Sequence, residues 1–306
     1  MDNTKPKLSI GLPVFNGENY LAEALDSLLT QTFTDFEIII SDNNSTDRTE
    51  EICLAYAAQD PRIRYYHNEE NRGAAWNYNR VFDLAQAKYF KWAAHDDLCA
   101  PNLFLRCIEI LDNDPSVVLA YSKTRIINEC GETVRKPEYR LNTNSSNVRD
   151  RFRDLICIPH ECFPVFGVIR SEVLRQTPRI GSYTSSDRPL LAELALYGRF
   201  YEIPEYLFVR RVHPKSSDIA YRDRHDRTTW FDPAKKGRIV FPRWRVWFEY
   251  FRALQRVSLG GFERAACHMY LIEWLQLHWK GMLVDLVGGV NRFLRAPWGG
   301  KNVVSH

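Results

Sequence analysis

The chain has 306 residues, 45% hydrophobic and 26% charged, with a net charge of +3, enough for one large globular domain or one domain with an appendage. Its seven cysteines (Cys53, Cys99, Cys107, Cys130, Cys157, Cys162 and Cys267) are odd in number and form no CxxC pair. That pattern argues against a zinc site or disulfide framework and for reduced thiols in a cytosolic setting. The opening "MDNTKPKLSIG" lacks the apolar core of a signal peptide, and no run approaches the roughly 18 uninterrupted apolar residues of a spanning helix.

In chain order, "LSIGLPVF" (8–15) is an apolar, β-prone run ending in Pro13 and the turn pair Asn16-Gly17. Leu21, Ala24, Leu25, Leu28 and Leu29 then recur at helical spacing. "FEIIIS" (36–41) predicts a strand buried on both faces. Ser45 is the expected N-cap of the next helix, with Asp47, Glu50 and Glu51 set against its dipole. "IRYYHN" (63–68) predicts a third strand, 74–86 a helix, "YFKWAA" (89–94) a fourth strand, 102–113 a helix opened by Pro101, and 117–127 a fifth strand. "ECGE" (129–132) reads as a hairpin turn, 137–150 as a polar loop, 186–198 as a helix and 200–213 as extended. From about 241 the chain is aromatic and helical.

Strands alternating with helices predict an α/β fold with a largely parallel sheet, in which ligands bind outside the carboxyl ends of the strands. Three polar clusters fall at those ends: "PVFNGEN", "SDNNSTD" and "HDD". The adjacent carboxylates Asp96 and Asp97 suit a hard divalent cation, Mg²⁺ or Mn²⁺, that shares its coordination with substrate phosphates. Capping of the helix that follows is the plainer explanation of the same pair. The sequence contains no G-x-G-x-x-G after the first strand, no phosphate-binding G-x-x-x-x-G-K-[ST] and no G-x-S-x-G elbow.

Together, "SIGLPVFNGENYLAEALDSLLTQTFTDFEIIISDNNSTDRT", "NRGAAWNYN" (71–79) and "WAAHDD" resemble, in order, the N-terminal half of the family 2 inverting glycosyltransferases. The resemblance is close over roughly 7–128 and looser over 160–217. It implies a GT-A-type nucleotide-binding sandwich with a C-terminal helical extension. The implied divisions are a nucleotide-sugar-binding half (1–128), an acceptor-binding half (129–240) and an aromatic, basic helical extension (241–306). By resemblance, Pro13, Phe15, Glu18, Asp42 and Asn44 take the places that hold the nucleotide, and Arg72 approaches the base or phosphates. Asp96 falls to a ribose or sugar contact and Asp97 to the metal. His95 stands where many relatives carry aspartate, and it is expected either to pack with a hydrogen bond or to reach the diphosphate. Asp187, preceded by Ser186 where glutamate is common, falls on the general base; N-capping explains an aspartate there equally well. His213 joins the metal or the diphosphate, and Arg210, Arg211 and Lys215 neutralise phosphate charge. His160, Glu161 and Cys162 fall toward the acceptor side, where packing explains them equally well.

The implied reaction moves a sugar from a nucleoside diphosphate, UDP by default, to a glycan or lipid-linked acceptor by one metal-assisted displacement. A metal-dependent nucleotidyltransferase and a non-catalytic nucleotide-sugar-binding protein are the alternatives. Between Arg210 and Arg256 there are 13 Lys+Arg against 5 Asp+Glu, a balance of +8 that leaves −5 for the remainder. With Trp244, Trp247, Trp274, Trp279 and Trp298, this end predicts core-packing helices, or helices lying on an anionic inner leaflet. A cytoplasmic enzyme, peripheral to the membrane and without a nucleic-acid partner, is expected.

Overall fold

The computed structural model describes residues 5–221 and 223–295; Trp298 lies outside them. Strands β1 (Leu8–Val14), β2 (Phe36–Asp42), β3 (Ile63–His67) and β4 (Tyr89–Trp92) pair in parallel in the order β3-β2-β1-β4. The sheet continues through β8 (Val168–Arg170), β6 (Val117–Ile127), β9 (Arg199–Arg211) and β5 (Leu98–Cys99), and the hairpin strand β7 (Thr133–Arg135) pairs with β6. The long ladders, β1–β2 and β6–β9 among them, are parallel; those made by the short strands β5, β7 and β8 are antiparallel. Every residue of β1, β2 and β4 is buried, the polar Ser9, Glu37, Ser41, Asp42 and Lys91 among predominantly apolar neighbours.

Helices α1 (Leu21–Leu29) and α4 (Leu103–Asn113) cover one face of the sheet, where Leu25, Phe104 and Ile108 join Ile10 and Ile38. Helix α2 (Thr49–Gln59) adds Cys53 to the same cluster. On the other face α3 (Ala74–Asp83) and α7 (Asp187–Tyr197) bring Val81, Phe82, Leu190 and Leu194 against Ile39, Phe90 and Phe200. Two single-turn or short helices, α6 (Ser171–Leu174) and α8 (Ser217–Ala220), and α9 (Arg224–Phe231) lie in connections. A third core joins α5 (Val148–Cys157) and α7 to α10 (Pro242–Arg256) and α11 (Gly261–Arg295), through Phe152, Ala192, Tyr250, Leu271 and Trp274. The C-terminal helices therefore pack on the α/β body by their inner faces.

Two local expectations are corrected. Ser45 caps no helix: α2 starts at Thr49, whose N–H donates to the Asp47 side chain at 3.0 Å, while the Ser45 hydroxyl accepts from Asn16 N at 2.9 Å. The polar stretch 137–150 ends in α5, a helix not expected from its charged sequence. Asn147 caps it by accepting from Arg149 N, and the buried Arg151 donates to the Ala195 and Ser145 carbonyls.

Candidate functional site

Chain order places β2 and β3 on one side of β1 and β4 on the other, so the crossover direction reverses at the β1/β4 pair. In such sheets the crevice beyond that point is where loops part and leave room for a ligand. The β4 ladder ends at Gly11↔Trp92, so Pro13, which has no N–H to give, lies where β1 has lost that neighbour. A cavity of about 1490 Å³ opens here. Pro13, Phe15, Asn43, Asn77, His95 and Asp96 line it together with Cys162, Asp187, Arg188, Arg210 and His213.

The loop after β1 and the loop after β2 are stitched together. Gly17 N donates to Thr49 Oγ1 at 2.8 Å, Glu18 N to Asp47 Oδ2 at 3.1 Å, Thr46 N to Asn16 Oδ1 at 2.8 Å, and Arg48 N to Glu18 Oε2 at 3.1 Å. Gly17 is required by space: a Cβ there would come within 2.7 Å of Val14 and 2.9 Å of the His95 ring. Asn77 of α3 donates to the Val14 and Ser41 carbonyls at 3.3 and 2.8 Å, satisfying strand-end acceptors left at the crevice. Asn71 accepts from Gly73 N and from Asn43 Nδ2, which fixes the turn into α3. That turn carries Gly73 at φ +85°, and a Cβ on it would meet Phe231 O at 2.6 Å. The segment after β9 thus closes over the cavity against Gly73; within it Tyr221 stacks on Trp230 at 5.7 Å, and both rings line the space.

Asp96 and His213 meet across the cavity wall, Asp96 Oδ2 lying 3.1 Å from His213 Nε2. The His213 ring packs 4.7 Å from Tyr20, and the His213 backbone N–H donates to Ser216 Oγ at 3.0 Å. Burial alone would raise the Asp96 carboxyl, but the His213 hydrogen bond and the charges of His95 and Arg210 outweigh it and hold it low. Asp97 is the reverse case. Its burial, with the Asp96 carboxylate beside it, pushes its carboxyl up despite Arg210 and the Arg211 N–H that donates to it at 2.9 Å. Asp97 Oδ2 is buried without a hydrogen-bond partner. Behind it Lys91, fully buried, donates to the Trp92 carbonyl at 3.2 Å and to the Phe166 carbonyl.

Of the candidate site residues singled out in the sequence, Pro13, Phe15, His95, Asp96, Glu161, Cys162, Asp187, Arg210, His213 and Lys215 line one cavity. It turns the others elsewhere. Asp97 is not on the wall but beneath it, and its carboxylate anchors β9. Arg211 alternates away from Arg210, as neighbours on a strand must; it pairs with Glu23, donates to the Asp96 carbonyl at 3.3 Å and lies over Tyr20. Asp42 is fully buried, accepting from Ser45 N at 2.9 Å and Tyr65 Oη at 3.0 Å. Glu18 belongs to the loop stitching, Asn44 turns the chain at φ +64°, and the half-exposed Arg72 lies over Trp76 at 4.4 Å. His95 packs its ring on Gly17.

Asp187 opens α7 and accepts from Arg188 N at 3.0 Å. Burial, together with the charge of the Asp187 carboxylate, raises the Cys162 thiol well above its ordinary value. Ser185 just before it takes a left-handed conformation, φ +63°, uncommon for a residue with a Cβ. Arg188 donates to the His160 carbonyl at 2.7 Å, fixing the loop that carries Cys162. Tyr78 went unnoticed in the sequence. It lines the cavity, and its phenol is raised by burial and by the carboxylates of Asp96, Asp97 and Asp187, so it is a protonated donor among three acids. Its signal was present in "NRGAAWNYN", where helical spacing from Ala74 puts it one turn along.

Among the described residues no group of three or more His, Cys, Asp and Glu side chains forms a ready-made metal cage. Asp96 and His213 supply one carboxylate oxygen and one imidazole nitrogen. That partial set suits a divalent ion which completes its shell with substrate phosphates and water.

Comparison with known proteins agrees with this architecture. The model of the family described as "Glycosyl transferase family 2" matches residues 9–176. An uncharacterized glycosyltransferase of Rickettsia felis is 36% identical over 149 residues, 47% of this chain and 24% of that protein. Glycosyltransferase GlyG of Streptococcus pneumoniae is 34% identical over 113 residues, 37% of this chain and 38% of that protein. The chain thus matches less than half the length of either relative. Among solved structures, S. aureus TarS 1–349 in complex with UDP-GlcNAc superimposes with a TM-score of 0.66 at 16% identity, covering 90% of this chain and 73% of that one. The mannosyltransferase PcManGT from Pyrobaculum calidifontis, in complex with GDP-Man and Mn²⁺, gives 0.52 at 17% identity, covering 95% and 88%. At these identities the likeness is one of fold.

Proposed function

This chain belongs to glycosyl transferase family 2, and on that premise we propose that it inverts a sugar carbon while moving it from a nucleoside diphosphate, UDP by default, to a hydroxyl of a glycan or lipid-linked acceptor. The carrying observation is that Asp96, His213 and Asp187 line one cavity beyond the β1/β4 strand ends. We assign this transfer to cell-surface polysaccharide assembly at the cytoplasmic face of a membrane. Solved neighbours holding UDP-GlcNAc, or GDP-Man with Mn²⁺, support the donor class and leave the base open.

In this reading the nucleotide lies along Pro13, Phe15 and Asn43, with its diphosphate directed toward Arg210 and Lys215. Asp96 and His213 would hold Mn²⁺ or Mg²⁺, which supplies charge neutralisation to the leaving diphosphate. This moves the metal role from Asp97 to Asp96, since Asp97 faces the interior. Asp42, Glu18 and Arg211 hold the loops and strands from which the contacts project. Asp187 accepts the proton of the acceptor hydroxyl as that oxygen attacks the sugar carbon opposite the diphosphate. The chain needs no nucleophile of its own. An acid at the start of α7 in the donor cavity favours sugar transfer over nucleotidyl transfer, which has no use for it.

Thermal-shift screening against nucleoside diphosphates with and without Mn²⁺, followed by hydrolysis of the stabilising donor, tests the reading. Metal-dependent turnover abolished by Asp96→Ala and Asp187→Ala in folded protein is expected. Turnover indifferent to Asp96→Ala, or no stabilisation by any nucleotide, overturns it.

A further inference from the structure

Helix α11 is apolar nearly all round. Its inner side places Cys267, Leu271, Trp274 and Met282 in the third core. Its outer side exposes Met269, Ile272, Leu277, Trp279, Leu283, Val284, Val287 and Val290, each between 47 and 62% exposed. At 100° per residue Met269, Leu277, Leu283, Val284 and Val287 fall on the half of the helix opposite Leu271 and Met282, with Ile272, Trp279 and Val290 along its edge, interrupted there chiefly by Gln276, Lys280 and Glu273. Helix α10 adds Phe248 and Phe251 at 48 and 39%, the Phe251 ring lying 5.6 Å from His268 of α11. A helix hydrophobic on all sides is ordinarily covered on all sides. The described helices include none long and apolar enough to cross a membrane.

We propose that this outer face of α10 and α11 lies on an anionic phospholipid surface, with α11 parallel to the membrane plane. Three observations favour a lipid surface over a protein partner. First, residues 235–295 carry 11 Lys+Arg against 4 Asp+Glu, a balance of 11 minus 4, or +7. Three of those four acids are already engaged: Glu249 with Arg245 at 2.8 Å, Asp285 with Arg243 at 2.8 Å, and Glu273 with Arg153 at 2.7 Å. A second copy would bring this cationic surface against itself, whereas anionic headgroups neutralise it. Second, Lys280 lies beside the half-exposed Trp279, 5.7 Å from its ring, so that a long cation flanks an amphipathic aromatic. Third, the surface is continuous with the cavity: Lys236 and Gly237 line it, and Ile239 and Phe241, each 37% exposed, lead directly into α10. A carrier lipid in the bilayer would bring its head group to the acceptor side. This last point deepens the lipid-linked reading of the acceptor and rests on it; the docking surface itself does not.

The test is flotation of the full chain with vesicles of phosphatidylcholine alone and of phosphatidylcholine mixed with phosphatidylglycerol. Binding to the anionic vesicles, weak on phosphatidylcholine and falling as salt rises, is expected. Leu283→Asp and Val287→Asp, both on exposed positions, should each reduce bound protein about tenfold by removing apolar contact and adding repulsion. Donor binding by the same variants, read by thermal shift, should be unchanged, which separates failure of the surface from failure of the enzymatic reading. In the unsubstituted protein, vesicles with brominated acyl chains should quench tryptophan fluorescence. Absence of binding to anionic vesicles, binding insensitive to both substitutions, or a dimer that Leu283→Asp dissociates without any vesicle binding would each overturn the proposal.

Discussion

At the scale of single residues, the two adjacent aspartates do different work because successive side chains leave the strand end in different directions. Asp96 faces the cavity and His213; Asp97 faces inward and holds the Arg211 N–H. Asp96→Ala should therefore lower metal-dependent turnover about 100-fold or more, the scale at which a charge-stabilising group acts, and should also lower stability at neutral pH, because the fold favours its ionised form through His213. Asp97→Ala orphans the Arg211 N–H, which by itself costs about 1–3 kcal/mol, but also removes a carboxyl whose ionised form burial disfavours, so its turnover should fall far less than that of Asp96→Ala. Equal loss of metal-dependent turnover in the two folded variants would contradict the distinction. His160 gives a pH signature. Its Nδ1 lies 2.8 Å from the Ile158 carbonyl, its Nε2 is buried without a partner, and burial lowers its pKa despite the Ile158 hydrogen bond. A histidine lowered in the fold binds its proton more readily when unfolded. Its share of stability is complete above the ordinary value, about 6.5, and is lost as pH falls below that. The pH 5-to-7 difference in melting temperature should shrink in His160→Gln; an unchanged difference would argue against a neutral buried imidazole.

At the scale of elements, the strands of the first half were legible because each is a short apolar run closed by turn residues. Parallel burial then made the polar clusters stand out at their ends. The strand-end clusters contain Pro13, Phe15 and Asp96, whereas Asp187 as a site residue rests on the family resemblance alone. Side-chain direction was not legible: Arg210 and Arg211 are equivalent in sequence and opposite in space, and Glu18 and Asp42 look like ligand contacts until their hydrogen bonds close the loops. Helix α5 was hidden because charged residues are as many as apolar ones along it, and its buried Arg151 is satisfied in part by the Ala195 carbonyl, distant in sequence. The loop stitching carries a prediction of its own. Asp47→Ala removes the acceptor for both Thr49 N and Glu18 N and should cost about 0.5–2 kcal/mol, as loss of a helix-start acceptor does. Donor affinity should weaken with it, because Pro13 and Phe15 border the same loop; unaltered affinity would separate the loops from the nucleotide.

At the scale of the whole molecule, the C-terminal helices complete a core. Truncation after residue 240 would uncover Phe152, Ile156, Ala192 and Leu196 and leave Glu193 without Arg256, which holds it through two hydrogen bonds of 2.9 and 2.6 Å. The truncated chain should aggregate rather than fold. Arg256→Ala alone should cost about 3–5 kcal/mol, since a carboxylate that is 1% exposed loses its cation. A soluble, cooperatively melting truncation would show that the α/β body stands without α10 and α11. The same helices turn an apolar, cation-flanked side outward, so one element both seals the body and presents it to a surface.

The account depends most on a divalent ion seated between one strand-end carboxylate and the imidazole after β9. Crystals grown with Mn²⁺ and a nucleoside diphosphate, examined by anomalous diffraction, address it directly. The expected peak lies within coordination distance of Asp96 and His213, with diphosphate oxygens sharing the ion. A manganese peak on Asp97, or a bound diphosphate with no ion at Asp96 and His213, would contradict it.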